Sequence, residues 1–272
     1  MHLGVRRVLL NFIHAGVRQV PDPVSNTTQT LPRSLPASHP LLETLACMTC
    51  PARKSDICGN MSDDEIRSIA TSSSRIKLKA GDTLVWDGDE ARHAYVVTGG
   101  TLRSSKANDD GRRQVLSFMF IGQFIGIPSD YIHHFSVEAL TDSEVCRFER
   151  KKLEEILVRY PAVDKGYRKG TARQLESAHE HAFALGRRTA MERVAAFLYE
   201  LSYSGCPKTS AKTLKLPMTR NDIADFLGLT LETVSRAFSR LKSVGAIALP
   251  SAQEVEIKDE ERLKALAGLM SL

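Results

Sequence analysis

Residues 219–245, TRNDIADFLGLTLETVSRAFSRLKSVG, constrain the chain more tightly than any other stretch. They predict two short helices joined by a tight turn. Thr219 is placed to cap the first helix, and Asp222 brings negative charge into its first turn. Ile223, Ala224 and Leu227 share one face of that helix. Gly228 supplies a turn residue with no steric cost at positive φ. Thr230 is the second cap, with Thr233 where a capping box would place Glu or Gln. Val234, Phe238 and Leu241 recur at i, i+4 and i+7, an apolar stripe for the second helix, and Gly245 stops it.

The open side of the second helix carries Glu232, Ser235, Arg236, Ser239, Arg240 and Lys242. These residues suit a helix laid in a DNA major groove. An Arg forks onto a guanine edge, and a Glu accepts from the cytosine amino group. Ser235 reaches a base or a phosphate, and Arg240 and Lys242 fit phosphates. With Thr219 and Thr230, the residues Glu232, Ser235, Arg236 and Arg240 form the candidate DNA-contact set. A solvated helical hairpin with no such role would show the same loose pattern.

A family resemblance sharpens the choice. Thr219-Arg220-x-Asp222-Ile223-Ala224, then Leu227-Gly228-Leu229-Thr230, then Glu232-x-x-Ser235-Arg236 resemble the C-terminal DNA-binding segment of the Crp/Fnr regulators. The resemblance places Glu232, Ser235 and Arg236 on a recognition helix that reads bases. It extends over about residues 45–260.

The 272-residue chain is long enough for one or two domains, and its net charge of +5 leans only weakly toward an anionic partner. No apolar run approaches the ~20 residues of a membrane span. Residues 1–40, basic at first and then broken by Pro21, Pro23, Pro32, Pro36 and Pro40, are expected to be a disordered extension or a mis-assigned start.

From residue 76 to residue 148 short alternating segments are separated by turn signals at residues 80–82, 87–89, 99–100 and 108–111. They predict a β-sandwich or barrel. The glycine placement resembles the cyclic-nucleotide-binding jelly roll, the sensory half of the same family. The expected fold is therefore α+β: an N-terminal double-sheet β-roll, a long dimerisation helix and a C-terminal winged helix-turn-helix. The expected boundaries are 41–160 for the cysteine segment and sensory domain, 161–187 for the dimerisation helix and 188–272 for the DNA-binding domain.

In the helical stretch Thr171, Leu175, Ala178, Ala182 and Leu185 step by 4, 3, 4 and 3. That is a heptad seam about two heptads long and poor in large residues. The family dimerises at such a helix, which implies a homodimer, and a seam rich in Ala implies a marginal one. Farther on, residues 206–215 are expected to be a loop, residues 246–249 and 255–257 a hairpin wing, and residues 259–272 a terminal helix.

Two sensors fit this scaffold. Nucleotide-binding members hold the phosphate with a Gly-Glu pair and a later Arg-Ser/Thr-Ala segment. Here the matching places read Gly122-Gln123 and residues 133–139, HHFSVEA, without an Arg. Cyclic-nucleotide binding is not expected. The alternative is a metal centre. Three of the five cysteines, Cys47, Cys50 and Cys58, fall within twelve residues, and Cys146 lies far along the chain. Four thiolates suit tetrahedral zinc or an iron–sulfur cluster, and spacing alone favours zinc.

The same arrangement, three N-terminal cysteines plus one inside the β-roll, resembles the Fnr branch. The seven-residue gap before Cys58 is similar to that of FnrN-type members, longer than in the enteric type. The resemblance implies an oxygen-labile [4Fe-4S] cluster on Cys47, Cys50, Cys58 and Cys146. It further implies binding of a palindrome resembling TTGAT-N4-ATCAA, contact with RNA polymerase, a cytoplasmic location and no enzymatic activity. Cys206 is expected to be an unligated loop thiol, and His133 and His134 surface or core residues.

Overall fold

The computed structural model describes residues 47–269, apart from Asn60 and Ile127. The extension expected over residues 1–40 lies outside the described residues. Helix α1 (Asp63–Ala70) starts at a complete capping box: the Ser62 hydroxyl accepts from the Glu65 amide, and the Glu65 carboxylate accepts from the Ser62 amide. In sequence, Ser62 and Glu65 mark its start as a capping box, and Ile66 and Ile69 at helical spacing would carry it on to Ser74. It stops at Ala70, and Ser73 and Ser74 pair with Phe148 and Arg147 in a sheet instead. Long-range strand pairing wins over local helical spacing there.

One antiparallel sheet has the order β1 (Ser73–Leu78), β8 (Ser143–Glu149), β3 (His93–Gly99), β6 (Phe124–Ile125). The second has the order β2 (Thr83–Val85), β7 (Ser136–Ala139), β4 (Leu102–Ala107), β5 (Arg113–Met119). Leu78, Val97, Leu102, Ile125, Val137 and Val145 fill the space between them. This is the double-sheet roll that the turn spacing implied. Strands β4 and β7 had no sequence signal, because LRSSKA and SVEA carry few large apolar residues. The inward hydroxyl of Ser104 on β4 is satisfied by that of Ser117 on β5 at 2.8 Å.

Helix α2 (Arg150–Arg159) leads through Tyr160 into the 27-residue α3 (Pro161–Arg187), with Pro at its first position, where no amide partner is needed. Helix α4 (Ala190–Leu201) follows, capped by a Thr189–Glu192 box. Its apolar face opens the second core, which α5 (Arg220–Leu227), α6 (Leu231–Ser243) and α7 (Glu260–Leu266) complete. Residues 208–215 are not a loop. They form the hairpin β9 (Lys208–Ser210) and β10 (Thr213–Lys215), which joins β11 (Ile247–Ser251) and β12 (Glu254–Ile257) in a four-stranded sheet. Leu214, wholly buried, is what draws β10 onto β12. No helix among the described residues is long and apolar enough to cross a membrane.

The Arg193 guanidinium joins the parts. It donates to Arg188 O at 2.9 Å, Leu185 O at 2.8 Å and Leu227 O at 2.9 Å, the last turns of α3 and α5. Leu185 belongs to this junction. Its side chain packs against Gly228, whereas Thr171, Leu175, Ala178 and Ala182 are exposed on α3.

Candidate nucleic-acid interface and four-thiol site

The residues of α5 and α6 are placed by local rules. The Thr219 hydroxyl accepts from the Asp222 amide at 3.1 Å, and the Asp222 carboxylate accepts from the Thr219 amide at 2.9 Å. Gly228 ends α5 at φ 61°, the left-handed conformation that a Cβ disfavours. Thr230 then caps α6 through the Thr233 amide at 3.2 Å. Ile223, Leu227, Val234, Phe238 and Leu241 are buried together. Arg220 lies flat on the Phe238 ring, 3.5 Å from its centre, and ties the two helices to one another.

That packing leaves one face of α6 bare. Glu232, Ser235, Arg236, Ser239, Arg240 and Ser243 line a shallow open concavity. Arg236 pairs with Glu232 at 2.5 Å, and both are exposed. The Ser235 and Ser239 hydroxyls turn back onto the Leu231 and Ser235 carbonyls at 2.9 and 3.0 Å. These are weak, water-accessible contacts, readily exchanged for base edges. Thr219 and Thr230, exposed at the two helix starts, use their hydroxyls as caps.

The second site gathers residues from two distant stretches. Cys47, Cys50, Cys58 and Cys146 line one cavity, walled by Ala52, Ile66, Ile69, Val96 and Phe148 and flanked by Arg53 and Arg75. Cys146 sits on β8, opposite Arg75 of β1 and Val96 of β3. Burial first, and then the neighbouring thiols, push the Cys58 thiol up to about 12. The Cys146 thiol is raised to about 12 by burial and by Cys47, Cys58 and Cys50, against a lowering contact from Ser73. Thiolates here need cationic charge among them, the condition that a metal centre meets. Among the described residues, no three His, Cys, Asp or Glu side chains form a group able to hold a single metal ion.

The long gap before Cys58 has its own architecture. Pro51–Lys54 form one 3-10 turn, and Arg53 reaches back to Cys58 O at 2.6 Å, Met61 O at 3.0 Å and Asp63 at 3.2 Å. Asp56 pairs with Lys169 at 3.1 Å and Arg173 at 2.6 Å, one turn apart on α3. Gly166 makes the notch that admits this loop, since a Cβ there would stand 2.1 Å from Asp56 O. Gly166→Ala is therefore expected to lower stability by about 1–3 kcal/mol through overpacking. It should also quicken alkylation of Cys58. Gly186→Ala on the same helix, where an added Cβ meets nothing within 4 Å, is the control, and equal effects of the two would refute the notch. The sequence carried no sign of Arg53, Asp56 or Gly166 beyond the gap length.

Cys206 lies in the loop between α4 and β9, and it is buried there. It is 3% exposed in the C-terminal core, and its thiol contacts Lys215 O at 3.6 Å. His133 is buried, and His134 pairs with Asp130 at 2.7 Å on the surface. Gln123, at the place of the nucleotide-binding Glu, accepts from the Phe120 amide at 2.8 Å and stabilises its own turn.

The comparisons with known proteins agree with this geometry. Residues 75–160 match the cyclic nucleotide-binding domain, and residues 192–266 match the Crp-like helix-turn-helix domain. A probable transcriptional activator of Rhizobium leguminosarum is 34% identical over 223 residues, 82% of this chain and 93% of its own length. The chain belongs to the Crp/Fnr family. FnrL of Cereibacter sphaeroides, a transcriptional activator protein, is 34% identical over 82% of this chain and 92% of its own length. The solved structure of FixK2 from Bradyrhizobium japonicum matches with a TM-score of 0.68 at 35% identity, over 73% of this chain and 99% of that one. These relatives place the chain in the Fnr-type branch of a family of DNA-binding regulators, not enzymes.

The junction between the halves of this Crp/Fnr chain also holds a half-buried imidazole whose protonation the fold opposes. The His181 imidazole of α3 stacks on Phe226 of α5 at 4.1 Å and 15°. Burial, then the Arg193 charge, lowers its pKa. The folded state thus favours neutral His181. Its contribution is full above the ordinary value of about 6.5 and is lost as pH falls below it. The melting temperature should drop more between pH 7 and pH 5 in the native chain than in His181→Phe. Parallel pH profiles would show that the stack is indifferent to charge.

Proposed function

We propose that the chain is a cytoplasmic, oxygen-responsive transcription regulator that binds palindromic DNA as a homodimer. In this reading Cys47, Cys50, Cys58 and Cys146 hold a [4Fe-4S] cluster. The observation that carries it is the shared cavity: three thiols of the N-terminal loop and one of β8 face the same space. A tetrahedral zinc site at about 2.3 Å per bond would need the four sulfurs about 3.8 Å apart. Four thiolates suit a cluster as well as zinc, and it is the resemblance to the Fnr branch that favours the cluster. When bound, such a cluster supplies an oxygen-labile cross-link between the loop and the β-roll.

The chain's own residues account for the rest. Asp56, Lys169 and Arg173 join the thiol loop to α3. The exposed stripe of Thr171, Leu175, Ala178 and Ala182 supports pairing with a second copy, and Leu175 is 56% exposed. The two-fold axis would set two copies of α6 about one DNA turn apart. The preferred site is a palindrome resembling TTGAT-N4-ATCAA, and RNA polymerase is the partner in activation. The activator names of the relatives support that direction.

The deciding experiment is iron, sulfide and visible-absorption analysis of protein purified without oxygen, repeated in air. The expected result is about four iron and four sulfide per chain, with colour that bleaches on exposure. One zinc and no colour would remove the oxygen-sensing reading and leave a DNA-binding regulator.

A further inference from the structure

The helix-turn-helix is not joined to the β-roll by the chain alone. The β4–β5 hairpin reaches 109 or more residues ahead in sequence and grips α5. Arg103 of β4 pairs with Asp222 and, at 2.7 Å, with Glu138 of β7. Arg113 of β5 pairs with Asp222 at 3.0 Å and Asp225 at 2.6 Å. Gln114 donates to Phe226 O at 3.0 Å. The Phe226 ring sits against Phe118 of β5, Phe197 of α4 and His181 of α3, at 5.3, 5.5 and 4.1 Å. In sequence, Arg113 is only a charge beside the turn signal at residues 108–111.

The chemistry of this grip is orientational. Asp222 is buried, with a side chain only 4% exposed, and Arg103 is 12% exposed. Burial alone would raise the Asp222 pKa, but the bonds from Thr219 and the two Arg charges outweigh it and leave the pKa lowered. A buried ion pair adds little net stability over apolar packing. What it adds is angle. Guanidinium forks accept few alignments, whereas an apolar contact lets helices slide. The grip also leaves the α6 face open, so it is compatible with DNA.

We propose that Arg103 and Arg113 are positioning residues for DNA binding: through Asp222 and Asp225 they fix the tilt of the helix-turn-helix and so set the half-site spacing that the dimer accepts. Helix α6 moves with α5, because Arg220 lies on Phe238 and Leu229 N bonds Ala224 O at 3.0 Å. A tilt that carries α6 about 3.4 Å along the groove corresponds to one base pair. The inference rests on the dimeric, palindrome-binding reading.

The test is fluorescence anisotropy with the full chain, purified without oxygen, on three duplexes: TTGAT and ATCAA separated by three, four or five base pairs. The native protein should prefer one spacing by about tenfold or more, and Arg103→Gln/Arg113→Gln should reduce that preference to about threefold or less. Arg113→Lys, which keeps a cation between Asp222 and Asp225, should retain more of the preference than Arg113→Gln. If the double variant does not fold, Asp225→Asn, on the more exposed partner, carries the same comparison. Unchanged discrimination overturns the proposal. So does an equal loss at every spacing, which would mark a purely structural role, or tighter binding at the preferred spacing, which would mark a brake. A native protein that binds all three duplexes equally would overturn the dimeric reading first, and the proposal with it.

Discussion

Cys146→Ala is expected to yield a folded chain that retains no iron. Cys146 lies mid-strand on β8, hydrogen-bonded through its backbone to β1 and β3 on either side, and an Ala there keeps every ladder bond. The small side chain lines the cavity and packs at the edge of the core beside Val96 and Phe148, where an Ala is the least disruptive replacement. Its loss removes the only thiol of the set that the N-terminal loop does not supply. Outer contacts to metal ligands already alter affinity about 10–100-fold, and a ligand itself should exceed that. Iron and sulfide counts after desalting, with circular dichroism to confirm the fold, make the measurement. Cys206→Ala is the control, because its thiol is buried in the other core. A Cys146→Ala protein that still carried the full complement of iron, or still bound DNA only without oxygen, would remove Cys146 from the ligand set.

Arg236→Ala should abolish discrimination at one base pair of each half-site while leaving thiol chemistry and oligomeric state unchanged. The side chain is 79% exposed and its partner Glu232 72% exposed, so truncation barely perturbs the fold. The loss is therefore read almost wholly on DNA. A bidentate contact to guanine is worth about 1–3 kcal/mol of discrimination, or about 5–150-fold. Arg240→Ala offers the contrast. Removing a phosphate partner there should weaken all sequences alike and lower the salt slope by about one. Titrations of native and single-substituted operators at two salt concentrations separate these patterns. Equal affinities of native and Arg236→Ala protein for the native operator would contradict the placement of α6 in the groove.

The parts of this protein that were legible in the sequence are those governed by local rules. Thr219, Gly228, Thr230 and Gly245 announce α5 and α6 because caps and left-handed glycines act within a few residues. Ser62 and Glu65 announce α1 in the same way, although its end is set by pairing of Ser73 with Phe148, which nothing local encodes. Strand β4 stayed hidden because its inward Ser104 finds a hydroxyl partner on β5, a fact of register and not of hydropathy. The cysteine spacing suggested a common centre, and the cavity gathers all four thiols. What spacing could not give was the support: Arg53 beneath Cys58, Asp56 on α3, the notch at Gly166. The hairpin's grip on α5 was equally silent, since Arg113 and Asp225 are 112 residues apart and each alone is an ordinary surface charge.

The three bonds of Arg193 have a mechanical meaning of their own. The carbonyls it holds are the negative ends of two helices, α3 and α5, which converge on one cation. Such a joint resists both separation and turning, because the planar fork directs each N–H at one carbonyl and either motion breaks a bond. The last turns of the long helix and of α5 should then move as one piece. Spin labels beside Leu185 and Leu227 should keep a constant distance through every functional state. A pair placed on the β4–β5 hairpin and on α5 should hold its distance only while the Arg113–Asp225 contact is intact.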